Sequence, residues 1–195
     1  MKILTPIIHV PLIEETINFE HHKDYLNRFF TLRYCIDVNQ KYNDFCVLVH
    51  SNKVCVVTLA PSHPLLCEDI EIRNINFQVS KNINRLDNKI SGKHKRNAQN
   101  VNQTAPLCFV ECADDKVYTI YSTIPGKLLE MNHQLENNPQ KIRECSPKLY
   151  HKQCYIAIIL PGIHHTIESL NKNFLTPEEY EKAMLERIAP KKVEY

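Results

Sequence analysis

Residues 105–132, APLCFVECADDKVYTIYSTIPGKLLEMN, limit the possible folds more than any other stretch of the chain. Segments 107–113 and 117–122 are rich in apolar, β-branched and aromatic residues, the composition of paired strands. Asp114-Asp115 between them reads as a two-residue turn. That turn sets Ala113 opposite Lys116, Glu111 opposite Tyr118 and Phe109 opposite Ile120. Pro125 fixes φ and removes a backbone donor, so the ladder must corner there. Gly126 supplies the freedom for the corner, and a third strand follows.

A second hairpin lies at 45–60, FCVLVHSNKVCVVTLA, with Ser51-Asn52 as its turn and Asn as the residue tolerant of left-handed backbone. Its apolar residues are nearly continuous, which predicts strands covered on both faces. Residues 69–80, DIEIRNINFQVS, alternate apolar and polar with a slip at Arg73-Asn74 that fits a bulge. Residues 82–91 form a weaker strand or turn, and QCYIAIIL at 153–160 is a last strand closed by Pro161-Gly162. Residues 133–149 are polar, with a turn of helix at most. Two helices are expected. In 21–34, Tyr25, Phe29 and Leu32 recur three to four apart and predict a short amphipathic helix. At the other end, Thr176 as N-cap, Pro177 at the first helical position and Glu179 in the capping-box position start a helix that runs to about Ile188. Tyr180, Ala183, Met184 and Ile188 form its apolar face, read as core packing.

Short strands with turn signals and a terminal helix define a mainly-β sandwich or barrel. The expected organisation is an extension at 1–23, a single β domain at 24–162, and a helix with its tail at 163–195. Three glycines in 195 residues leave too few for a glycine-rich phosphate loop, which excludes P-loop and dinucleotide folds. A net charge of +2 argues against wholesale nucleic-acid binding, so any electrostatic role is local. Of the eight cysteines, Cys46, Cys55, Cys108, Cys112 and Cys154 lie in strand-like apolar runs, where a free thiol acts as a small hydrophobe. That pattern suggests a reduced, intracellular protein. The N-terminus, broken by Pro6, His9 and Pro11, does not read as a signal peptide.

No catalytic, cofactor or metal set emerges. The adjacent pairs His21-His22 and His164-His165 point to opposite sides of an extended chain. Cys108 and Cys112 on one strand face stand about 13 Å apart, too far for one zinc. Ser62-His63 is an adjacent pair without a nucleophile-elbow context. The strongest surface feature is Lys89-Ile-Ser-Gly-Lys-His-Lys-Arg96: Lys89, Lys93, His94, Lys95 and Arg96 within eight residues that hold no acid, with Arg85 just upstream. Such a run attracts acidic partners: nucleic acid, phosphoinositide or an acidic protein surface. No aromatic residue interrupts it, which disfavours base stacking on single strands.

HSNKVCVVTLAPSHPLL (50–66), ISGKHKRNAQ (90–99), APLC (105–108), YIAIILP (155–161) and LTPEEYEKAMLERI (175–188) closely resemble the Abitram family, actin-binding transcription modulators also called Simiate. The resemblance covers 24–188. It implies a non-enzymatic protein that binds actin monomers and filaments and promotes polymerisation. It also implies a role in filopodia and dendrites, and residence in cytoplasm, lamellipodia, growth cones and nuclear speckles. Actin's acidic surface would then meet the basic run, with nuclear RNA or the transcription machinery as the competing partner. A more distant likeness, in PGKLLEMNHQLENNPQKI (125–142), is to the glycine cleavage H protein, a lipoyl carrier, and implies a barrel-sandwich hybrid (single hybrid motif). Carriers present a lysine on the hairpin turn. Here the two ways of counting put Asp114 or Asp115 at that place, and Lys116 in neither register.

Overall fold

The computed structural model describes residues 28–67, 70–147, 154–162 and 173–188. In chain order the elements are β1 (Phe30–Cys35), β2 (Phe45–His50), β3 (Cys55–Leu59), α1 (Pro64–Cys67), β4 (Ile72–Asn76), β5 (Gln78–Ser80), β6 (Ile83–Asn84), β7 (Asn100–Val101), β8 (Pro106–Cys112), β9 (Val117–Tyr121), β10 (Gly126–Met131), α2 (Gln134–Asn137), a 3₁₀ turn (Pro139–Glu144), β11 (Ala157–Pro161) and α3 (Pro177–Ile188). The fold is mainly β, sandwich-like, with a C-terminal helix. One sheet runs β1-β2-β3-β11-β10-β7, a second β4-β8-β9, and β5-β6 form a short ribbon.

Strand alternation builds the two faces of the large sheet. Phe45, Val47 and Val49 of β2 and Cys55, Val57 and Leu59 of β3 join Leu107, Val110 and Ile120 of the small sheet in the main core. The intervening Cys46, Leu48 and Val56 join Phe30, Tyr34 and Tyr180 in a second buried cluster beneath α3. The continuous apolar run of β2 and β3 therefore does mean cover on both sides.

Both hairpins close with three-residue loops rather than two. In the first, His50 accepts from the Lys53 N–H at 2.8 Å and Lys53 takes φ 73°. Left-handed backbone thus falls on Lys53, while the Asn52 carboxamide oxygen accepts from the Val54 N–H at 3.0 Å. In the second, Asp115 is left-handed at φ 60°, and Cys112 accepts from its N–H at 3.2 Å. The extra loop residue shifts the ladder by one: Glu111 pairs with Val117, Val110 with Tyr118 and Cys108 with Ile120. A type I turn followed by a left-handed residue is the favoured three-residue solution. Here Arg73 holds it, donating to the Ala113 carbonyl at 2.6 Å and to Asp115 at 2.9 Å. The bulge expected in β4 is present, between Ile72 and Asn74.

The helix expected over 21–34 is overturned in its described part. Residues 28–29 are helical, but Phe30–Cys35 is β1, paired with β2 from Phe30↔His50 to Cys35↔Phe45. Phe30, Leu32 and Tyr34 have the period of a strand as well as neighbours of helical spacing, and the open edge of β2 decides between them. The remainder of that segment, 21–27, lies outside the described residues, as does the extension at 1–23.

Cys46, Cys55, Cys108 and Cys112 are buried free thiols as expected, and burial pushes Cys46 and Cys55 up to about 12. Cys154 departs from the expectation. It precedes β11 rather than lying within it, and forms a disulfide with Cys145 across a Cα–Cα distance of 4.6 Å. Among the described residues no helix is long and apolar enough to cross a membrane.

α3 starts with a reciprocal capping box: the Thr176 N–H donates to the Glu179 carboxylate at 2.8 Å and the Glu179 N–H to the Thr176 hydroxyl at 3.2 Å. Tyr180 stacks on Tyr34 with ring centroids 4.1 Å apart. The packed face is shorter than the sequence suggests, because Ile188 is 80% exposed. A charged contact takes its place. Arg187 donates to the fully buried Asp44 at 2.6 and 3.2 Å and pairs with Asp37 at 2.9 Å. Removing one partner of a buried ion pair leaves the other desolvated and uncompensated. Arg187→Ala is therefore expected to destabilise the protein by about 3 kcal/mol in urea titration, far beyond an exposed Arg→Ala such as at Arg96.

His63 is the buried titratable group with a pH signature. The Leu65 N–H donates to its Nδ1 at 3.2 Å, so Nε2 carries the proton and donates to the Asn43 Oδ1 at 3.0 Å. Burial lowers its pKa to about 4, against 6.5 in an open chain. The folded state thus resists a proton that the unfolded state takes up. Stability from this group is complete above pH 6.5 and falls toward pH 4 with a slope of up to about 1.4 kcal/mol per pH unit. Urea titrations between pH 7 and 4.5 should show that slope, and His63→Gln should flatten it.

Candidate functional site: a basic hairpin and its groove

The basic run is a structured hairpin on a polar clamp. Gln99 is the centre of the clamp. Its N–H donates to the Asn88 Oδ1 at 2.8 Å, its carbonyl accepts from the Leu128 N–H at 2.8 Å, and its side chain bridges the Asn84 carbonyl and Arg85 at 2.7 and 2.8 Å. Asn88 reaches the Leu128 carbonyl at 2.7 Å. Arg85, upstream of the run, is a framework residue rather than a surface cation. It is 5% exposed and donates to the Pro106 carbonyl at 3.0 Å, and burial lowers its pKa.

Above the clamp, Ser91 and Arg96 exchange two backbone hydrogen bonds at 3.0 and 2.9 Å. Gly92 takes φ 66° and Lys95 φ 52° to close the tip. Lys89, Lys93, His94 and Arg96 are exposed, and Lys95 is half-buried. Among the described residues the ion pairs fall elsewhere, on Arg73–Asp115, Lys116–Asp114 and Arg187 with Asp37 and Asp44.

The hairpin forms one wall of a groove of about 540 Å³ at the β7 edge of the large sheet. Lys93, His94 and Lys95 line it, whereas Lys89 and Arg96 stand outside. Val101, Pro125, Gly126, Leu160 and Pro161 make an apolar floor, with Lys127 opposite the hairpin. Lys127 donates to the His94 carbonyl at 2.8 Å and the Lys95 carbonyl at 3.4 Å, so it tethers the tip and adds a charge to it. Gly126 is required beside it: a Cβ there would run into the Leu160 carbonyl. Lys127 was invisible to a local reading, since 31 residues separate it from Arg96 and only β-pairing brings them together. This arrangement suits a ligand with carboxylate or phosphate groups next to apolar ones.

The other polar cluster binds α3 to the sheet. The Ser62 hydroxyl donates to Asp44 at 2.5 Å and accepts from the Tyr180 hydroxyl at 2.9 Å, while His63 turns toward Asn43. Ser62 and His63 are thus adjacent in sequence without contact between hydroxyl and ring nitrogen. At the 113–115 hairpin tip, Lys116 pairs with Asp114 at 3.0 Å. Among the described residues no cluster of His, Cys, Asp or Glu has the geometry of a metal site.

A mainly-β sandwich with a clamped basic hairpin over an apolar groove defines the class: a compact β scaffold that presents fixed positive charge. No protein-family model matches the chain. It is 45% identical over 161 residues to Protein Abitram of Gallus gallus, covering 82% of this chain and 90% of that protein. Protein Abitram of Homo sapiens is 41% identical over 164 residues, covering 84% and 88%. Protein Abitram of Drosophila melanogaster is 31% identical over 165 residues, covering 85% and 72%. The chain belongs to the Abitram family.

The tether sets a test of hairpin order. Lys127→Met retains the methylene stem but removes two hydrogen bonds from a charged donor, each of which is worth about 1.5 kcal/mol or more. Amide exchange across 92–97 should accelerate by roughly tenfold or more, and the urea midpoint should fall.

Proposed function

We propose that this chain is a non-catalytic actin-binding protein that promotes filament growth and acts in filopodia and dendrites, with a second role in nuclear transcription. Membership in the Abitram family supports the partner. The observation that carries the site is the clamped hairpin, whose exposed cations Lys89, Lys93 and Arg96 and half-buried Lys95 have no carboxylate partners among the described residues. Charges held on a rigid loop lose little entropy on binding and steer an acidic surface toward the scaffold. The groove floor beside them supplies apolar contact, which fixes register where charge alone does not. Cytoplasm with lamellipodia and growth cones, and nuclear speckles, are the proposed locations.

Co-sedimentation with filamentous actin tests the site. Replacing Lys89, Lys93, Lys95 and Arg96 together by Ala should weaken binding about tenfold or more at 0.1 M salt, and by a smaller factor as salt rises. Unchanged binding removes the hairpin from the interface. The same pair of proteins titrated onto RNA separates the competing reading. A nucleic-acid interface through these cations would lose affinity with a log–log salt slope near −3 on single strands.

A further inference from the structure

The basic hairpin has two sides with different surroundings. Lys89 and Arg96 stand outside the groove, whereas Lys93 and Lys95 line it together with Lys127. Strand alternation sets the floor beside them. Lys127 pairs with Leu160 on one side and Asn100 on the other, so the three share one face of the large sheet. Ile158, two residues before Leu160 and on that same face, packs into the cluster under α3. Leu160 is outside that cluster and sits half-buried in the groove instead.

These groups select a ligand class. A volume of about 540 Å³ falls in the usual range of ligand sites, about 300–1,000 Å³. Among the described residues the lining holds no acid, so an entering carboxylate meets only positive charge. The lining also lacks arginine, whose planar fork fits phosphate, and any Phe, Tyr or Trp on which a nucleobase would stack. Two of the three Lys127 donors are committed to the His94 and Lys95 carbonyls. Pro125 and Pro161 deny the floor backbone N–H groups of the kind that build phosphate cradles. What remains suits an apolar side chain set next to one or two carboxylates.

We infer that the groove is a peptide-binding site for an acidic segment of a partner protein. One apolar side chain of that segment seats on Leu160 and Pro161, while flanking carboxylates pair with Lys93 and Lys95. Lys89 and Arg96 then serve long-range attraction only. That the partner is actin rests on the function proposed above, whereas the class of ligand rests on the groove.

The probe is a capped peptide, acetyl-Asp-Glu-Leu-Glu-Asp-amide, titrated into the full chain and followed by backbone amide NMR. Shift changes should centre on Val101, Gly126 and Lys127, and their absence at about 2 mM peptide overturns the site. Lys93→Ala/Lys95→Ala should weaken peptide binding about tenfold or more. Lys89→Ala/Arg96→Ala should weaken it less than about threefold at about 0.15 M salt, which screens charges beyond about 8 Å. The Lys127 tether runs to backbone carbonyls, so neither pair of substitutions removes it. Equal losses from the two pairs overturn the groove as the seat. Ser in place of the peptide's Leu should cost about fivefold to tenfold, and an unchanged affinity overturns the apolar subsite. Displacement of the peptide by an equal concentration of inorganic phosphate overturns the ligand class. In co-sedimentation the peptide should release the full chain from filamentous actin. If the peptide binds the groove and the chain stays on the filaments, the groove stands and actin does not use it. If the fourfold Ala variant also binds actin normally, the actin site fails while the NMR still decides the groove.

Discussion

Strand β11 is the constraint on which the rest of the structure depends. It comes last of the described strands yet lies in the middle of the large sheet, pairing with β3 on one side and β10 on the other. Without it the β1-β2-β3 meander and the β10-β7 edge have no common ladder, and Leu160 and Pro161 are not there to floor the groove. Its burial on both sides explains YIAIIL: Ile159 enters the main core and Ile158 the cluster under α3. A central strand supplied so late must wait for long-range closure, so the early hairpins have to hold as preformed pieces.

That requirement gives meaning to the turn chemistry, and to where sequence reading succeeded. Strand identity was legible at 45–50, 55–59, 106–112 and 157–161 because apolar, β-branched residues at those positions suit no exposed element. Register was not legible. Asp114-Asp115 satisfies a two-residue turn as well as a three-residue one by composition, and the deciding contact is Arg73, forty residues earlier, on the Ala113 carbonyl. A shift of one residue changes every cross-strand pair in the hairpin while leaving its composition untouched. The same limit explains β1. FTLRYC has neighbours at helical and strand spacings alike, and only the vacant edge of β2, which lies outside the segment, selects between them.

The candidate site divides along the same line. Its cations were visible because charge density is a local property, and so were the thiols of Cys46 and Cys108. What turns those cations into a site is non-local: the Gln99 clamp, the Lys127 tether and the floor from β11. Arg85, just upstream of the run, shows the complementary point: its guanidinium is spent on Pro106 and Gln99. Sequence distance to the run predicts nothing about which basic residues remain available to a partner.

Two charged regions among the described residues illustrate how burial assigns roles to chemically similar groups. Arg187 and Asp44 face each other with the carboxylate fully buried, so each is needed to offset the other's desolvation, and the pair fixes α3 in one position. Lys89, Lys93 and Arg96 are exposed and keep their hydration, so the tip needs no counter-ion. A carboxylate brought to the hairpin therefore gains attraction from groups that contribute almost nothing to folding. Mutations of these exposed cations should leave the fold in place, whereas mutations of Arg187 alter the fold first. Charge that is free to serve a partner is charge the scaffold does not need, and among the described residues one cluster of it lies beside the β7 edge of the large sheet.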